Sequence, residues 1–205
     1  MAFDLTLKDG TYLVQLARRS IEAKFNEGEA DISDAPEVTK QKCGVFVTLN
    51  SLKNNGGTLR GCIGYPTPIL PLVQAVREVA QAAAFEDPRF PELRRGELPN
   101  TIIEVSVLTP PEIIKVVKPD QYPSMVRIGI DGLIVKKGFQ SGLLLPQVAP
   151  EWGWGPEELL SQCCVKAGLP PDSWLLKSTE ISRFQAIIFT ETKPGGEVVR
   201  EGLDN

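Results

Sequence analysis

The sequence predicts an α+β protein with a mainly antiparallel sheet flanked by helices. Apolar residues recur at both helical and strand spacing, in the order α-ββ-α-β-ββ-β-α-β. Short turns rich in glycine and asparagine separate neighbouring strands, as expected of antiparallel pairs. The chain shows no internal repeat and no interior linker polar and long enough to separate independent domains. We therefore expect one domain over residues 1–192.

The first element is predicted to be a helix that begins near Thr6. Thr6 and Asp9 have the spacing of a capping box. Apolar residues then follow at helical spacing, namely Leu13, Leu16, Ala17, Ile21 and Phe25. Residues 29–42 are polar, contain Pro36 and show no periodicity, so we expect a surface loop there.

Two paired strands are predicted at 43–50 and 58–65. The two asparagines and two glycines at 54–57 supply the positive φ angles that a hairpin turn needs. The second strand contains Gly61 and Gly64. Glycines inside a strand leave gaps that another backbone or a ligand can approach closely.

A second helix is predicted from about Pro68 to Ala84, with Pro71 in its first turn, where proline is tolerated. Two prolines with aromatic neighbours at 85–91 then predict a rigid, packed loop. A strand is predicted at residues 102–108, which read IIEVSVL.

The second half of the chain is predicted to begin with a hairpin. Asp131-Gly132 is its strongest short hairpin signal, and we expect it to join strands at 127–130 and 133–136. Another short strand is predicted at 142–145. A third helix should open at Gly155-Pro156 and close at Gly168.

The last predicted strand covers Ile181 to Thr190. The glycine and proline residues from Lys193 onward are not typical of a regular element. Chain ends without such elements are commonly frayed. We therefore expect residues 193–205 to form a flexible tail.

Composition excludes several classes of function. Lys and Arg total 22 against 26 for Asp and Glu, which gives a net charge of −4. Such a chain lacks the positive field that concentrates nucleic acid or anionic lipid near a surface, so a nucleic-acid-related role ranks last. The chain contains no histidine. This excludes Ser-His-Asp and Cys-His nucleophile systems and every zinc site that uses histidine.

The four cysteines, at positions 43, 62, 163 and 164, form no CxxC pair. Glycine-rich phosphate-binding motifs are missing too. We therefore expect no metal and no cofactor. The N-terminus does not resemble a signal peptide, and no apolar run approaches the ~18 residues of a membrane span. These features predict a cytoplasmic protein with reduced thiols.

Cys62 is the first candidate for chemistry. It lies two residues from Arg60, between Gly61 and Gly64. Strand alternation would place Arg60 and Cys62 on one face, and a nearby cation favours the reactive thiolate. The alternative is that Cys62 is a small buried hydrophobe and that the glycines relieve crowding against a helix.

Glu104 is the second candidate. Both faces of its predicted strand are mostly apolar, so Glu104 is expected to be a buried carboxylate in need of a partner. Arg60 is the obvious partner, and the pair would mark a polar spot in a cleft. The alternative is an exposed or edge position.

Trp152 and Trp154 lie immediately before the third predicted helix. Aromatic residues of this kind are typical of a recognition rim. The alternative is that both tryptophans pack over the start of the helix.

The hexapeptide LRGCIG at 59–64 resembles the signature of the AMMECR family, named for a human chromosomal region linked to Alport syndrome, midface hypoplasia and elliptocytosis. Other segments resemble family blocks in the same order, namely 43–49, 87–91, 104–108, 141–148 and 164–169. Together they cover about residues 6–191. Within these blocks the chain shows no departure from the family.

The resemblance implies two unequal lobes, with both termini in the larger lobe and the smaller lobe inserted. The hexapeptide is then expected to line a cleft between the lobes. Cys62, Arg60 and Glu104 are the catalytic candidates. The ligand-binding candidates are Gly61, Ile63, Gly64, Ser106 and Gln147.

Two functions remain open. The cleft could bind a small molecule or a peptide, with Cys62 as a reactive thiol. Alternatively, the chain could be a non-enzymatic adaptor for a Memo-like or radical-SAM protein, because family members occur with such proteins. The family has no firmly assigned reaction, so the resemblance does not imply an enzyme.

Overall fold

A computed structural model of the chain describes residues 4–52 and 57–201. The chain divides into two compact units, the first up to Leu108 and from Ile187 onward, the second Thr109–Ala186. In chain order the helices and strands are α1 (Leu7–Lys24), β1 (Gly44–Ser51), β2 (Thr58–Tyr65), α2 (Leu72–Phe85), β3 (Thr101–Leu108), β4 (Glu112–Ile113), β5 (Gly132–Lys137), β6 (Gln140–Leu144), α3 (Val148–Trp152), α4 (Pro156–Lys166), β7 (Glu180–Phe184), β8 (Ala186–Glu191) and β9 (Val198–Glu201).

The predicted fold class is confirmed, because both units combine helices with antiparallel strand pairs. The first unit has a five-stranded sheet in the order β2-β1-β3-β8-β9. The second has a four-stranded sheet in the order β4-β7-β5-β6. That residues 1–192 form a single domain stays a prediction. So does the cleft lined by the hexapeptide.

The core of the first unit lies between its sheet and the two long helices. Alternate residues of β1 and β3 are fully buried and join α1 and α2 in one cluster, namely Val45, Val47, Leu49, Ile103, Val105 and Val107. The predicted capping box at the start of α1 is confirmed, since the Thr6 hydroxyl accepts from the Asp9 N–H at 3.2 Å. One face of the sheet is thereby committed to packing, which leaves the other face for polar residues.

The second helix begins later than predicted. It begins at Leu72, and Pro71 precedes it with an extended backbone (φ −51°, ψ 137°). The Leu72 N–H donates to the Gln41 carbonyl at 2.8 Å, outside any helix. Because three prolines crowd positions 66–71, this stretch has few N–H donors and stays irregular.

The second unit packs α4 against its own sheet. Leu133 and Ile181 of the sheet and Leu159 and Leu160 of the helix are fully buried in one cluster. Gly142 of β6 is required by this packing, since a Cβ there would lie 2.5 Å from the Ala167 nitrogen. The third predicted helix is confirmed as α4, and Gly168 follows it with a φ of +74°.

The prediction of a hairpin at Asp131-Gly132 is wrong. Residues 128–130 form a turn, and the buried Asp131 carboxylate closes it by accepting from the Arg127 N–H at 3.0 Å and from its guanidinium. The actual hairpin joins β5 to β6. An Asp-Gly pair supports a hairpin only where the aspartate is free to lie in the turn, and here its side chain is used by Arg127.

The last predicted strand is broken at Gln185. Its first part is β7, in the second unit's sheet, and its second part is β8, in the first unit's sheet. At the break, Gln185 exchanges hydrogen bonds with Thr109 instead of a strand neighbour. The segment predicted as a tail contains β9, which pairs with β8, and its last residues, 202–205, lie outside the described part.

One buried ion pair joins α1 to the sheet of the first unit. The Arg18 guanidinium binds the Glu191 carboxylate at 2.5 Å and donates to the carbonyls of Leu98 and Thr101. The same carboxylate accepts from the Ile103 N–H at 3.0 Å. The pair therefore fixes α1, β3 and β8 relative to one another inside this unit.

Gly61 is the point where β2 lies closest to α2. A Cβ on Gly61 would lie 2.1 Å from the Ala83 carbonyl oxygen, a backbone atom that cannot rotate away. We predict that Gly61→Ala lowers the free energy of unfolding by about 2 kcal/mol, because strand and helix must separate. Urea denaturation followed by circular dichroism measures this change.

Gly96→Ala is the matched control. A Cβ at Gly96 meets nothing within 4 Å, so this variant should lie within about 0.5 kcal/mol of the unchanged protein. Equal stability of the two variants would show that α2 does not restrict the size of the side chain at position 61. A ligand gap would then be the better explanation for that glycine.

Candidate functional site

The central feature of the site is a row of three side chains across neighbouring strands. In the register of the sheet, Thr48 lies opposite Cys62 on one side and opposite Glu104 on the other. All three are half-buried and lie on the face opposite the helix-covered core. We call Cys62, Thr48 and Glu104 the polar row. Adjacent to it, Phe46 pairs with Gly64 and Ser106 in the same way.

Cys62 is the one partly exposed thiol in the described part of the chain. Its sulfur accepts a hydrogen bond from the Thr48 hydroxyl at 3.4 Å. The other cysteines, Cys43, Cys163 and Cys164, are buried. Burial raises the pKa of Cys43 to about 11 and of Cys163 to about 12, and it raises the pKa of Cys164 as well. Those three thiols are therefore packing residues.

The backbone of Cys62 is held from outside the sheet by the loop that follows α2. Its N–H donates to the Asp87 carboxylate at 2.8 Å, and its carbonyl accepts from the Arg89 guanidinium at 3.1 Å. We call Asp87 and Arg89 the edge clamp, because β2 is the outermost strand of its sheet. With these groups turned outward, Thr48 and Cys62 form a non-hydrogen-bonded pair, the arrangement in which opposite side chains lie closest.

The edge clamp is itself an ion pair with two parallel hydrogen bonds. Arg89 Nε and Nη2 bind the two Asp87 oxygens at 3.0 and 2.8 Å. The hydrogen bond from Arg89, with further ones from the N–H groups of Cys62 and Arg89, holds the pKa of Asp87 well below its usual range. The pKa of Arg89 is raised, chiefly by Asp87 and to a smaller degree by the Cys62 thiol. Arg89, which donates to the Cys62 carbonyl at 3.1 Å, is therefore the cation adjacent to Cys62.

The Arg60 side chain binds residues outside the polar row. A bulge shifts the register between Leu49 and Asn50, so the two-residue alternation from Cys62 back to Arg60 is broken. The Arg60 guanidinium binds the Glu97 carboxylate at 3.1 Å and donates to the Glu92 carbonyl. The predicted pairing of Arg60 with Glu104 is wrong.

Glu104 has no cation among its contacts in the described chain. Its carboxylate accepts from the Ser106 hydroxyl at 3.1 Å. Burial, with a smaller repulsion from Glu201, raises the pKa of this carboxyl against the opposing effect of Ser106. A raised pKa brings the titration of the Glu104 carboxyl closer to neutral pH. A carboxyl that titrates near the working pH can both accept and donate a proton.

Three further residues are predicted to bind a ligand, namely Ile63, Gly64 and Gln147. Ile63 packs against the helix-covered core, on the face opposite Cys62. Gly64 lies under the Phe46 ring, where a Cβ would meet a ring carbon at 2.4 Å. Gln147 is exposed at the start of α3, in the second unit. A ligand contact at any of them stays a prediction.

Sequence reasoning missed three contributors to this site: Thr48, Asp87 and Arg89. The signal for the edge clamp was present, because Asp87-Pro88-Arg89 carries two opposite charges in a proline-held loop. Its connection to Cys62 depends on how the loop folds back over β2, which no local pattern records. Within residues 4–52 and 57–201, no cluster of acidic residues or cysteines could hold a metal ion, and no helix is long and apolar enough to cross a membrane.

The Asp87 carboxylate should stabilise the fold more than a neutral amide at the same position. We predict that Asp87→Asn lowers the free energy of unfolding by about 2 kcal/mol at pH 7, because a charged acceptor of four hydrogen bonds is lost. A carboxyl whose pKa is lowered by folding stabilises above its unfolded pKa of about 3.9. The difference between the proteins should therefore be constant from about pH 7 to pH 5 and shrink below about pH 4.

Urea denaturation at several pH values measures this difference. Glu37→Gln is the control, since it removes the Glu37–Lys40 ion pair, whose carboxylate is 85% exposed. That variant should change stability by less than about 0.5 kcal/mol. An Asp87→Asn protein as stable as the control would contradict a structural role for the edge clamp.

Comparison with known proteins gives one consistent family. The AMMECR1 family model matches residues 14–189. A protein from Methanocaldococcus jannaschii is 49% identical over 97% of this chain and 98% of its own length. The crystal structure of an uncharacterised protein from Pyrococcus horikoshii has a TM-score of 0.80 at 49% identity, over 96% of this chain and 98% of that one. By this match over most of its length, the chain belongs to the AMMECR1 family.

Proposed function

We propose that the polar row binds a small molecule or a peptide and that the Cys62 thiol is its reactive group. The observation that carries this proposal is the contrast among the cysteines: Cys62 is partly exposed, whereas the other three are buried. A thiol kept at a surface beside a guanidinium is typical of reactive cysteines. All four cysteines are free, which supports a cytoplasmic location.

The arrangement favours a ligand that extends across the strands. Strands lie about 4.8 Å apart, so Cys62 and Glu104 are separated by about 10 Å at their backbones. Thr48 occupies the position between them. Glu104 is therefore placed to exchange a proton with a distant atom of the ligand, not with the sulfur itself. Without histidine in the chain, this carboxyl is the available acid–base group of the row.

The reactivity of Cys62 is tested with iodoacetamide and peptide mass spectrometry. In this reaction the sulfur–carbon bond forms, the carbon–iodine bond breaks, iodide leaves and the thiol proton passes to the buffer. In the native protein, we predict that Cys62 reacts at least about ten times faster than the other cysteines, because those must wait for local opening.

The three buried thiols are internal controls, and Cys62→Ala identifies the labelled site. In urea the four rates should converge, which shows that the difference comes from the fold. If Cys62 reacts in the native state no faster than Cys43, the proposal that it is a reactive thiol fails.

A second function, that of an adaptor, is favoured by a different observation in the second unit. The Trp152 side chain is 70% exposed and stacks on Trp154, with ring centroids 5.9 Å apart. Trp154 packs against the core of that unit. We propose that Trp152 contacts a protein partner, for which a Memo-like or radical-SAM protein is the candidate. An exposed tryptophan held by a second aromatic ring suits the centre of an interface.

The adaptor function predicts opposite responses in two variants. Trp152→Ala should weaken binding of a purified Memo-like protein at least tenfold, a loss of about 1.4 kcal/mol, whereas Cys62→Ala should leave the affinity unchanged. Isothermal titration calorimetry measures both affinities. If Cys62→Ala also weakens binding, the partner uses the polar row, and the two functions are one.

A further inference from the structure

The edge clamp presents its two charges to solvent very unequally. The Asp87 side chain is 2% exposed, and its oxygens accept from the Cys62 N–H, the Arg89 N–H and the Arg89 guanidinium. The Arg89 side chain is 53% exposed. The pair is neutral as a whole, but its accessible end is the cation.

Arg89 is held rigidly and still has donor capacity. Its Nε and Nη2 are used by Asp87 and by the Cys62 carbonyl, and its guanidinium lies 5.5 Å from the centre of the Phe90 ring. Nη1 takes part in none of these hydrogen bonds. A guanidinium fixed in this way loses little conformational entropy when it binds an anion.

No second cation shares this position among the described contacts of the polar row. Arg60, the other arginine close in sequence, has a side chain that is 11% exposed and bound to Glu97. Glu104 lies in the polar row and is an acid. A single guanidinium, already paired with one carboxylate, is suited to a singly charged anion and poorly suited to a phosphate dianion.

We propose that Arg89 recognises a carboxylate group of the molecule that binds beside Cys62. The inference rests on the proposed function of the polar row and specifies its ligand: a small carboxylic acid, or a peptide with an acidic side chain or a free C-terminus. The edge clamp places the carboxylate next to the sulfur, and the rest of the ligand extends over Thr48 toward Glu104. Arg89 is thus a specificity residue for that site.

Two alkylating reagents of nearly equal size test this assignment. Iodoacetate carries a carboxylate and iodoacetamide does not, while both transfer a carbon to sulfur with loss of iodide. A thiolate repels iodoacetate, so iodoacetamide is the faster reagent for an ordinary thiol. In the native protein, Arg89 should raise the iodoacetate-to-iodoacetamide rate ratio at Cys62 about three- to tenfold above the ratio in urea.

Arg89→Gln should lower the ratio to the value measured in urea or below it, because the Asp87 carboxylate then lies beside Cys62 without its cation. Arg127→Gln is the matched control, since Arg127 is 52% exposed and binds the buried Asp131 at 2.8 Å, but lies in the other unit. That variant should keep the ratio of the unchanged protein. Because both reagents sample the same accessibility, a general loosening around Cys62 changes both rates and leaves their ratio unaffected.

Salt dependence provides a test that needs no variant. Between about 0.01 M and 1 M salt the Debye length falls from roughly 30 Å to 3 Å. The ratio at Cys62 should therefore fall in the native protein, where attraction is screened. In urea it should rise, because repulsion is screened instead.

Arg89→Lys, which keeps the charge, should retain most of the native ratio.

The outcomes separate the two proposals. If Cys62 reacts with neither reagent in the native state, the reactive-thiol proposal fails. If Cys62 reacts but the ratio is the same in Arg89→Gln, or rises with salt in the native protein, the role of Arg89 is overturned. If inorganic phosphate protects Cys62 from iodoacetamide more strongly than acetate does, the assignment to a carboxylate is overturned.

Discussion

The site depends on one buried carboxylate. Asp87 binds the N–H of Cys62, the N–H of Arg89 and the Arg89 guanidinium, so one side chain fixes both the backbone of the thiol and the cation beside it. It can do so because Pro88 stiffens the loop and because Gly61 lets β2 lie directly against α2. With β2 fixed at its outer side by the edge clamp and at its inner side by β1, the sulfur is presented in one position.

The regular elements of the fold could be predicted from sequence, because burial of alternate residues or of one helix face leaves a periodic pattern. The apolar residues of α1 and of β1 show this directly. The errors fell where a side chain overrides local preference. Asp131 is used by Arg127, and Gln185 separates two strands that belong to different sheets. Neither tertiary contact is recorded in the spacing of the residues nearby.

The candidate site was predicted in part. Cys62, Glu104 and Ser106 were identified from the sequence, and they do lie on one face of the sheet. Strict strand alternation predicts Arg60 as the cation beside Cys62, but a single bulge directs Arg60 to Glu97 instead. Arg89 could not be assigned from spacing, since it is 27 residues from Cys62 and reaches it through a loop.

An outermost strand normally exposes a row of unused backbone groups with which another chain can pair. In β2 the edge clamp occupies those of Cys62 on the outer side, so no incoming strand can continue the sheet at that residue. This protects a glycine-containing edge from self-association. It also determines the direction of approach: a peptide that reaches the sulfur must cross the strands over their face, because it cannot lie alongside β2 at Cys62 as an additional strand.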